Sequence, residues 1–222
     1  MTISSNLAEF SKELSNFSLT LVAVSKTYPN ESILEAYSAG QRHFGENKVQ
    51  ELCAKYESLP KDINWHLIGH LQSNKVKYCA PFVYLIHSVD SVKLLLEINK
   101  EGKKNNRKIQ VLLQIHIADE ETKFGFSLEE IQTLLSSEVL DSLTHVAIIG
   151  FMGMATNTSD ESKVQQEFKL LHTFYDSCKP QFFKKKMVFT ELSMGMSSDY
   201  RLALKEGSTM VRIGSSLFGK RS

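Results

Sequence analysis

Hydrophobic positions along the chain follow two patterns: short continuous apolar runs, and longer stretches in which apolar residues recur every three or four positions. The short runs are typical of strands buried on both faces, and the longer stretches are typical of amphipathic helices. Eight runs are predicted as strands, at residues 19–24, 42–46, 64–69, 83–89, 109–117, 145–154, 187–192 and 209–213.

Helical spacing fills the segments between these strands. Residues 4–17 are predicted to form an amphipathic helix ahead of the first strand. Ser91 and Ser127 are suited to cap later helices, and the sequence SLEE that starts at Ser127 is a capping box. The other helices are predicted at residues 31–39, 49–56, 74–79, 91–98, 127–135, 161–177 and 198–206.

The order of these elements predicts an α/β fold, a single (β/α)8 TIM-type barrel with an extra N-terminal helix. A doubly wound open sheet is the alternative, because it also alternates strands and helices. The number of strands favours the barrel. No linker rich in proline, glycine or serine interrupts the series, so residues 1–222 are expected to form one domain.

Lys26 follows the first predicted strand and continues the inward-facing row of Val22 and Val24. Burial of an ammonium is costly, and desolvation favours the free amine that a Schiff-base lysine requires. From this strand alone, the favoured interpretation is a lysine that extends from the barrel rim into water. Residues at the ends of the last two strands reverse that preference.

Glycine and serine residues occur together where the seventh strand ends in ELSMGMSSDYR and where the eighth ends in VRIGSSLFG. The loops after these two strands commonly bind phosphate in a (β/α)8 barrel. Gly195 and Gly214 allow backbone N–H groups to approach a ligand. Ser197 or Ser198 is also suited to cap the following helix. The serines that can donate to phosphate oxygens are Ser193, Ser215 and Ser216.

Arg212 shares the inward face of the eighth strand with Met210 and Gly214, close to the proposed phosphate site. One interpretation is an ion pair with a carboxylate such as Glu191. The other is a guanidinium that faces the ring nitrogen of pyridoxal phosphate, where enzymes of this cofactor use an acidic residue or an arginine. Because a guanidinium only donates, it favours the unprotonated pyridine and weakens the ring as an electron sink.

Composition excludes several classes of function. The chain has 26 basic and 25 acidic side chains and a net charge of +1, so no global field favours nucleic acid. No signal-type segment and no bilayer-length apolar run occurs, so a cytoplasmic protein without membrane association is expected. The three cysteines are odd in number and unpaired in spacing, so neither a disulfide framework nor a CxxC site is expected. His66 and His70 straddle a strand end, and no metal site is expected.

The sequence resembles the pyridoxal phosphate homeostasis proteins, a family similar to the N-terminal barrel domain of alanine racemase. The resemblance covers almost the whole chain. Ser215 stands where many relatives have threonine, which keeps the hydroxyl, and His70 stands at a loop position that is often proline. The matching motifs are AVSKTYP, HFGENKVQE, WHLIGHLQSNK, SVD, KFGF, GFMGMA, ELSMGMSSDY and VRIGSSLFG.

The resemblance implies that Lys26 carries pyridoxal 5'-phosphate as a Schiff base. The implied function is intracellular homeostasis of this cofactor by storage, buffering or delivery. A monomer that hands the cofactor to apo-enzymes is expected. The other cofactor-binding residues implied by the resemblance are Asn47 beside the cofactor, Arg212 at the pyridine nitrogen, and Ser193, Met194, Gly214 and Ser215 at the phosphate.

Two enzymatic alternatives use the same features: a pyridoxal phosphate-dependent amino-acid racemase and a Schiff-base aldolase. Racemisation generally needs two positioned acid–base groups. Alanine racemase takes the second from a tyrosine in a further C-terminal domain of a partner subunit, whereas this chain ends at Ser222. Tyr28 and Tyr200 follow strand ends on the same side as Lys26. The sequence therefore predicts a binding protein without catalytic residues.

Overall fold

Eight parallel strands close into a barrel in chain order, and β8 pairs back onto β1. The computed structural model describes residues 2–119 and 124–219, so Lys123 of the KFGF motif lies outside the described residues. This closure confirms the barrel and excludes the open sheet. The strands are β1 (Thr20–Val24), β2 (His43–Glu46), β3 (Asn64–Leu67), β4 (Leu85–Val89), β5 (Ile109–Ile115), β6 (Val146–Gly153), β7 (Glu191–Met196) and β8 (Met210–Ile213).

Helices surround the barrel, and the expected extra N-terminal helix is present ahead of β1. Ser91 caps the helix after β4 through the backbone N–H of Leu94, and Ser127 forms the predicted capping box at the first helix after β5. A short 3₁₀ helix at Ser73–Lys75 follows β3. The helices are α1 (Ile3–Leu14), α2 (Asn30–Ser38), α3 (Val49–Ser58), α4 (Val76–Cys79), α5 (Val92–Lys104), α6 (Leu128–Ser136), α7 (Val139–Ser142), α8 (Glu161–Lys184), α9 (Tyr200–Lys205) and α10 (Ser215–Phe218).

The prediction of a seventh strand at residues 187–192 is wrong, because β7 runs over Glu191–Met196. Phe189, which lies within the predicted strand, stacks on Phe182 of α8 with ring centroids 4.0 Å apart. Its burial therefore reflects packing against a helix and not membership of a strand. Ser193 consequently lies within β7 and not in the loop that follows it.

The helix predicted at residues 161–177 is also longer than expected, since α8 continues through Pro180 to Lys184. Proline lacks the N–H that an interior helical turn needs and normally ends a helix. Cys178 and Phe182 on the last turns are fully buried. Their packing against the core keeps the chain helical beyond the proline.

Two apolar clusters stabilise the fold. The larger one fills the space between the strands and the helices. A much smaller one lies inside the barrel, where several inward positions carry polar side chains instead. Among residues 2–119 and 124–219, no helix is long and apolar enough to cross a bilayer. The inner cluster consists of Val22, Leu85, Leu112, Met152 and Met210.

Candidate functional site

A cavity of about 310 Å³ opens at the carboxyl ends of the barrel strands. This end of a (β/α)8 barrel is where the active sites of the fold lie. The cavity gathers five of the seven site residues expected from the sequence: Lys26, Asn47, Arg212, Gly214 and Ser215. The other lining residues are Val24, Ile68, Met154, Met196, Ser197 and Ser198.

Lys26 reaches this cavity from the end of β1, and hydrogen bonds hold the residue on either side of it. The Ser25 hydroxyl donates to Oε1 of Glu46 at 2.6 Å, and the Thr27 N–H donates to Oε1 of Glu51 at 2.7 Å. Thr27 has a φ of 68°, a conformation that is unfavourable for a β-branched residue. The bond to Glu51 therefore holds a strained turn that directs Lys26 toward the cavity.

Lys55 of α3 joins these two carboxylates behind the strand. Its ammonium lies 2.9 Å from Oε1 of Glu46 and 2.7 Å from Oε1 of Glu51, and it donates to the Ser25 carbonyl at 2.8 Å. Glu46 is fully buried, and its Oε2 has no hydrogen-bond partner within the described chain. Burial raises the pKa of Glu46 to about 7, although Lys55 and Ser25 act to lower it.

Sequence reasoning missed this carboxylate–lysine cluster. The available signal was Glu46 itself, an acidic residue inside a predicted strand, which needs a buried partner. Its partner could not be found from the strand pattern, because Lys55 approaches only when α3 packs against the barrel.

Asn47 is held at the cavity by close packing of its backbone against Gly69. A Cβ on Gly69 would lie 2.4 Å from the carbonyl oxygen of Asn47, so only glycine lets the end of β3 come this near. The Ser88 hydroxyl donates to the Gly69 carbonyl at 2.6 Å and secures the same segment from β4. The next residue, His70, bonds to Asp90 through Nδ1 at 2.9 Å.

Arg212 lines the cavity from β8 and is only 4% exposed. Its guanidinium donates to the Ser193 carbonyl at 2.9 Å, to the Ser193 hydroxyl at 2.6 Å and to the Gly153 carbonyl at 3.1 Å. These contacts replace the ion pair with Glu191 that the sequence left open; Glu191 accepts from Thr209 instead. Burial lowers the pKa of Arg212 to about 10, and the charge of nearby Asp199 counteracts this.

Ser193 and Met194 are not brought to the cavity wall. Ser193 is fully buried inside the barrel, where its hydroxyl contacts Arg212 and His87, and Met194 is fully buried in the larger apolar cluster. The physical reason is the extent of β7, which places both residues within the strand. Ser197 and Ser198, which the sequence suggested as helix caps, line the cavity in their place, and the N-cap of α9 is Asp199.

The loops after β7 and β8 are joined directly, since the Gly214 N–H donates to the Ser197 hydroxyl at 3.1 Å. Gly195 has a φ of 93°, and a Cβ there would lie 2.7 Å from Cβ of Ala203. Ser215 begins the short helix α10 at the cavity edge. Ser216 does not line this cavity but a separate one beside α1.

A second cavity of about 510 Å³ adjoins the first, and the two share Met154, Met196 and Ser198. Its remaining wall carries hydroxyl side chains of the segment between β6 and α8. Within residues 2–119 and 124–219, no group of three or more histidine, cysteine or carboxylate side chains is arranged to hold a metal ion.

A closed (β/α)8 barrel with a lysine at the end of β1 and a glycine–serine loop after β8 defines the class of the alanine racemase N-terminal domain. The family model described as "Alanine racemase, N-terminal domain" matches residues 2–222. A pyridoxal phosphate homeostasis protein of Aquifex aeolicus (strain VF5) is 41% identical over 202 residues, covering 90% of this chain and 86% of the relative. The chain belongs to the pyridoxal phosphate homeostasis protein family.

Solved structures agree with this assignment. PipY of Synechococcus elongatus PCC7942, described as without PLP, superposes with a TM-score of 0.90 at 38% identity and covers 98% of this chain and all of PipY. The structure of PipY described as having PLP bound gives a TM-score of 0.84 at the same identity and coverage. An alanine racemase of Clostridium difficile 630 shares the fold at 15% identity and a TM-score of 0.77, with 97% of this chain matching 56% of that chain.

Proposed function

We propose that this protein binds pyridoxal 5'-phosphate and serves the intracellular homeostasis of the cofactor by storage, buffering or delivery. The observation that carries the proposal is one cavity that contains Lys26, Arg212 and Ser215 at the carboxyl ends of the strands. Family membership supports it, since PipY, a related structure, is described with PLP bound.

The residues at the cavity suit the groups of this cofactor. Lys26 would hold the aldehyde carbon as a Schiff base, formed with the release of one water. Ser215 would hold the phosphate beside Gly214, whose N–H donates to Ser197. Asn47 would lie beside the ring, and Arg212 would face the ring nitrogen.

Arg212 also limits what the bound cofactor can do. Pyridoxal phosphate supplies an electron sink, which is strongest when its ring nitrogen is protonated. The guanidinium has no acceptor atom, so it cannot stabilise a proton on that nitrogen as a carboxylate does. Its hydrogen bonds to Ser193 and Gly153 hold it in place. An arginine at the ring nitrogen also suits racemases, so the argument against racemisation rests on the second acid–base group that this reaction needs.

We infer that the protein is not a competent racemase, and the positions of the two tyrosines near the motifs support this. The Tyr28 hydroxyl donates to the Gly219 carbonyl at 2.6 Å. The Tyr200 hydroxyl donates to Glu13 at 2.9 Å. Burial and that bond to Glu13 raise the pKa of Tyr200 to about 12. Neither hydroxyl is therefore suited to act as the second base.

We further infer a monomeric cytoplasmic protein that passes the cofactor to apo-enzymes and uses residues 1–222 as one binding domain. The three cysteines (Cys53, Cys79 and Cys178) are all free, which favours a reducing compartment. The near-zero net charge offers no general attraction to nucleic acid.

The test is a visible absorption spectrum of the purified protein with pyridoxal phosphate, followed by borohydride reduction and peptide mass mapping. A yellow chromophore and a pyridoxyl mass on Lys26 are expected, both lost in Lys26→Ala but kept in the control Lys48→Ala, which changes an exposed lysine. The mass on another lysine would contradict the assignment of Lys26. A colourless protein that borohydride traps with a sugar phosphate would identify an aldolase instead.

A further inference from the structure

A row of polar side chains crosses the inside of the barrel and ends at Arg212. His43 Nδ1 lies 2.9 Å from His66 Nε2, and His66 Nδ1 lies 2.8 Å from His87 Nε2. His87 Nδ1 lies 3.1 Å from the hydroxyl of Ser193, which in turn accepts from Arg212 at 2.6 Å. These five residues, called the histidine row below, connect the start of β2 to the cofactor cavity.

Packing does not explain the histidine row. The interior of a (β/α)8 barrel is usually filled by branched aliphatic side chains. Three other inward positions of this barrel follow that rule: Val22, Leu85 and Leu112. His66 and His87 are fully buried, and a buried polar group costs free energy unless it is hydrogen-bonded. The bonds along the row satisfy both ring nitrogens of each of these two histidines.

Burial lowers the pKa of all three imidazoles of the histidine row and so favours their neutral forms. Burial holds the pKa of His66 well below its ordinary value, and the neighbouring His43 lowers it further. Burial likewise holds the pKa of His87 well below its ordinary value, with His66 and the positive charge of Arg212 acting in the same direction. A neutral imidazole donates from one nitrogen and accepts at the other.

Arg212 favours one direction for the hydrogen bonds of the row. A guanidinium can only donate, so the Ser193 oxygen accepts from Arg212. The Ser193 hydrogen has an acceptor in the row when it goes to Nδ1 of His87, and His87 then carries its proton on Nε2 and donates to Nδ1 of His66. His66 in turn donates from Nε2 to Nδ1 of His43, whose Nε2–H meets the side-chain amide of Asn64 at 3.4 Å and requires the oxygen of that amide to be turned toward it.

We propose that His87, supported by His66 and His43, is a positioning residue for Arg212. His87 takes the hydroxyl hydrogen of Ser193, which turns the lone pairs of that oxygen toward the guanidinium. Arg212 is thereby held at the cavity where the ring nitrogen of the cofactor lies. This role rests on the proposed function, because it concerns the site that binds pyridoxal phosphate.

The direction of the hydrogen bonds in the histidine row is measured first, by ¹⁵N NMR of the full-length apoprotein with labelled histidine. We expect His66 and His87 as neutral rings protonated on Nε2, assigned from the resonances lost in His66→Asn and His87→Asn. Rings protonated on Nδ1 would overturn the proposal. This measurement needs no cofactor, so its outcome is independent of whether the protein binds pyridoxal phosphate.

The positioning role is measured with two variants of His87. Asparagine places an amide oxygen near the site of Nδ1 and can still accept from Ser193, whereas glutamine places its amide near Nε2 and leaves Ser193 without that acceptor. His87→Gln should weaken binding of pyridoxal phosphate about tenfold and shift its absorption band, while His87→Asn should stay within about threefold of the wild type. The surface variant His172→Asn is the control.

Equal effects of His87→Gln and His87→Asn, or an unchanged absorption band in both, would overturn the positioning role. Circular dichroism and thermal melting would show whether each His87 variant folds. If neither folds, the proton position on His66 in the wild-type protein, assigned from His66→Asn, decides the proposal. Failure of the wild type to bind pyridoxal phosphate would overturn the proposed function itself, which is a different result from a change confined to the variants.

Discussion

The ammonium of Lys55 lies 2.9 Å from Oε1 of Glu46, directly behind the strand end that carries Lys26. The pair is buried, with exposed side-chain fractions of 7% for Lys55 and 0% for Glu46. The second oxygen of Glu46 has no hydrogen-bond partner in the described chain. The contacts of the first oxygen therefore offset only part of the free-energy cost of burying the carboxylate. Its raised pKa makes stability depend on pH.

The first prediction concerns this pH dependence. The pKa of Glu46 is about 7 in the folded protein against an ordinary value of 4.5, so the folded state holds this proton more tightly than the unfolded chain does. The contribution of Glu46 is fully present below pH 4.5 and is lost as the pH rises through about 7, by at most about 1.4 kcal/mol per pH unit. Urea unfolding of wild type and Glu46→Gln across this range should therefore give a difference that changes with pH. Parallel curves would contradict the prediction.

The second prediction separates Ser215 from Ser193. Ser215 lines the cavity, so Ser215→Ala should cost about 1.5–3 kcal/mol in binding pyridoxal phosphate and little in binding pyridoxal, which lacks the phosphate. Ser193 acts through Arg212, so Ser193→Ala should weaken both ligands equally. Titration of the apoproteins measures this, with Ser216→Ala as the matched control outside the cavity. A phosphate-selective loss in Ser193→Ala would place that hydroxyl at the phosphate after all.

The third prediction concerns Gly69. In Gly69→Ala the new methyl group would lie 2.4 Å from the Asn47 carbonyl oxygen, and relieving this overlap should cost about 1–3 kcal/mol of unfolding free energy. Binding of pyridoxal phosphate should weaken as well, because Asn47 is displaced. Gly214→Ala is the steric control for the unfolding measurement alone, since its nearest neighbours would be 3.4 Å away. Equal stability losses in the two variants would argue against the close approach as the cause.

The fourth prediction is that the protein with bound cofactor does not turn over amino acids. Incubation with L-alanine in deuterated buffer should give neither D-alanine nor sustained exchange of the α-proton, because the hydroxyls of Tyr28 and Tyr200 are bonded elsewhere. Chiral chromatography and proton NMR follow both signals. Turnover at enzymatic rates that disappears in Lys26→Ala would identify a racemase.

Lys26 and Arg212 could be located from the sequence because alternation along a strand fixes which residues face inward and which strand ends they approach. The position of Ser193 could not be predicted in this way, because it depends on where β7 begins. The strand predicted at residues 187–192 includes Phe189, whose burial comes from a tertiary contact with Phe182 of α8.

The histidine row is visible in the sequence as a regular spacing of histidines, although no single histidine indicates it. His43 and His66 are 23 positions apart and His66 and His87 are 21 apart, so one histidine recurs in each of three successive strands. His87 lies in the strand predicted at residues 83–89, and its bonds to His66 and Ser193 are those of a hydrogen-bonded strand residue. Which residues bond to one another depends on the stagger of neighbouring strands, and that stagger is not readable from one chain.

The histidine row also constrains how the barrel interior can diverge. Each imidazole has its proton position set by the next one, so exchange of a single member leaves an unmatched donor or acceptor beside it. The aliphatic side of the interior, with Val22 and Leu112, can change one residue at a time. The histidine side should instead change in groups, and substitutions there should show strong epistasis: combined variants are less harmful than the sum of their single losses.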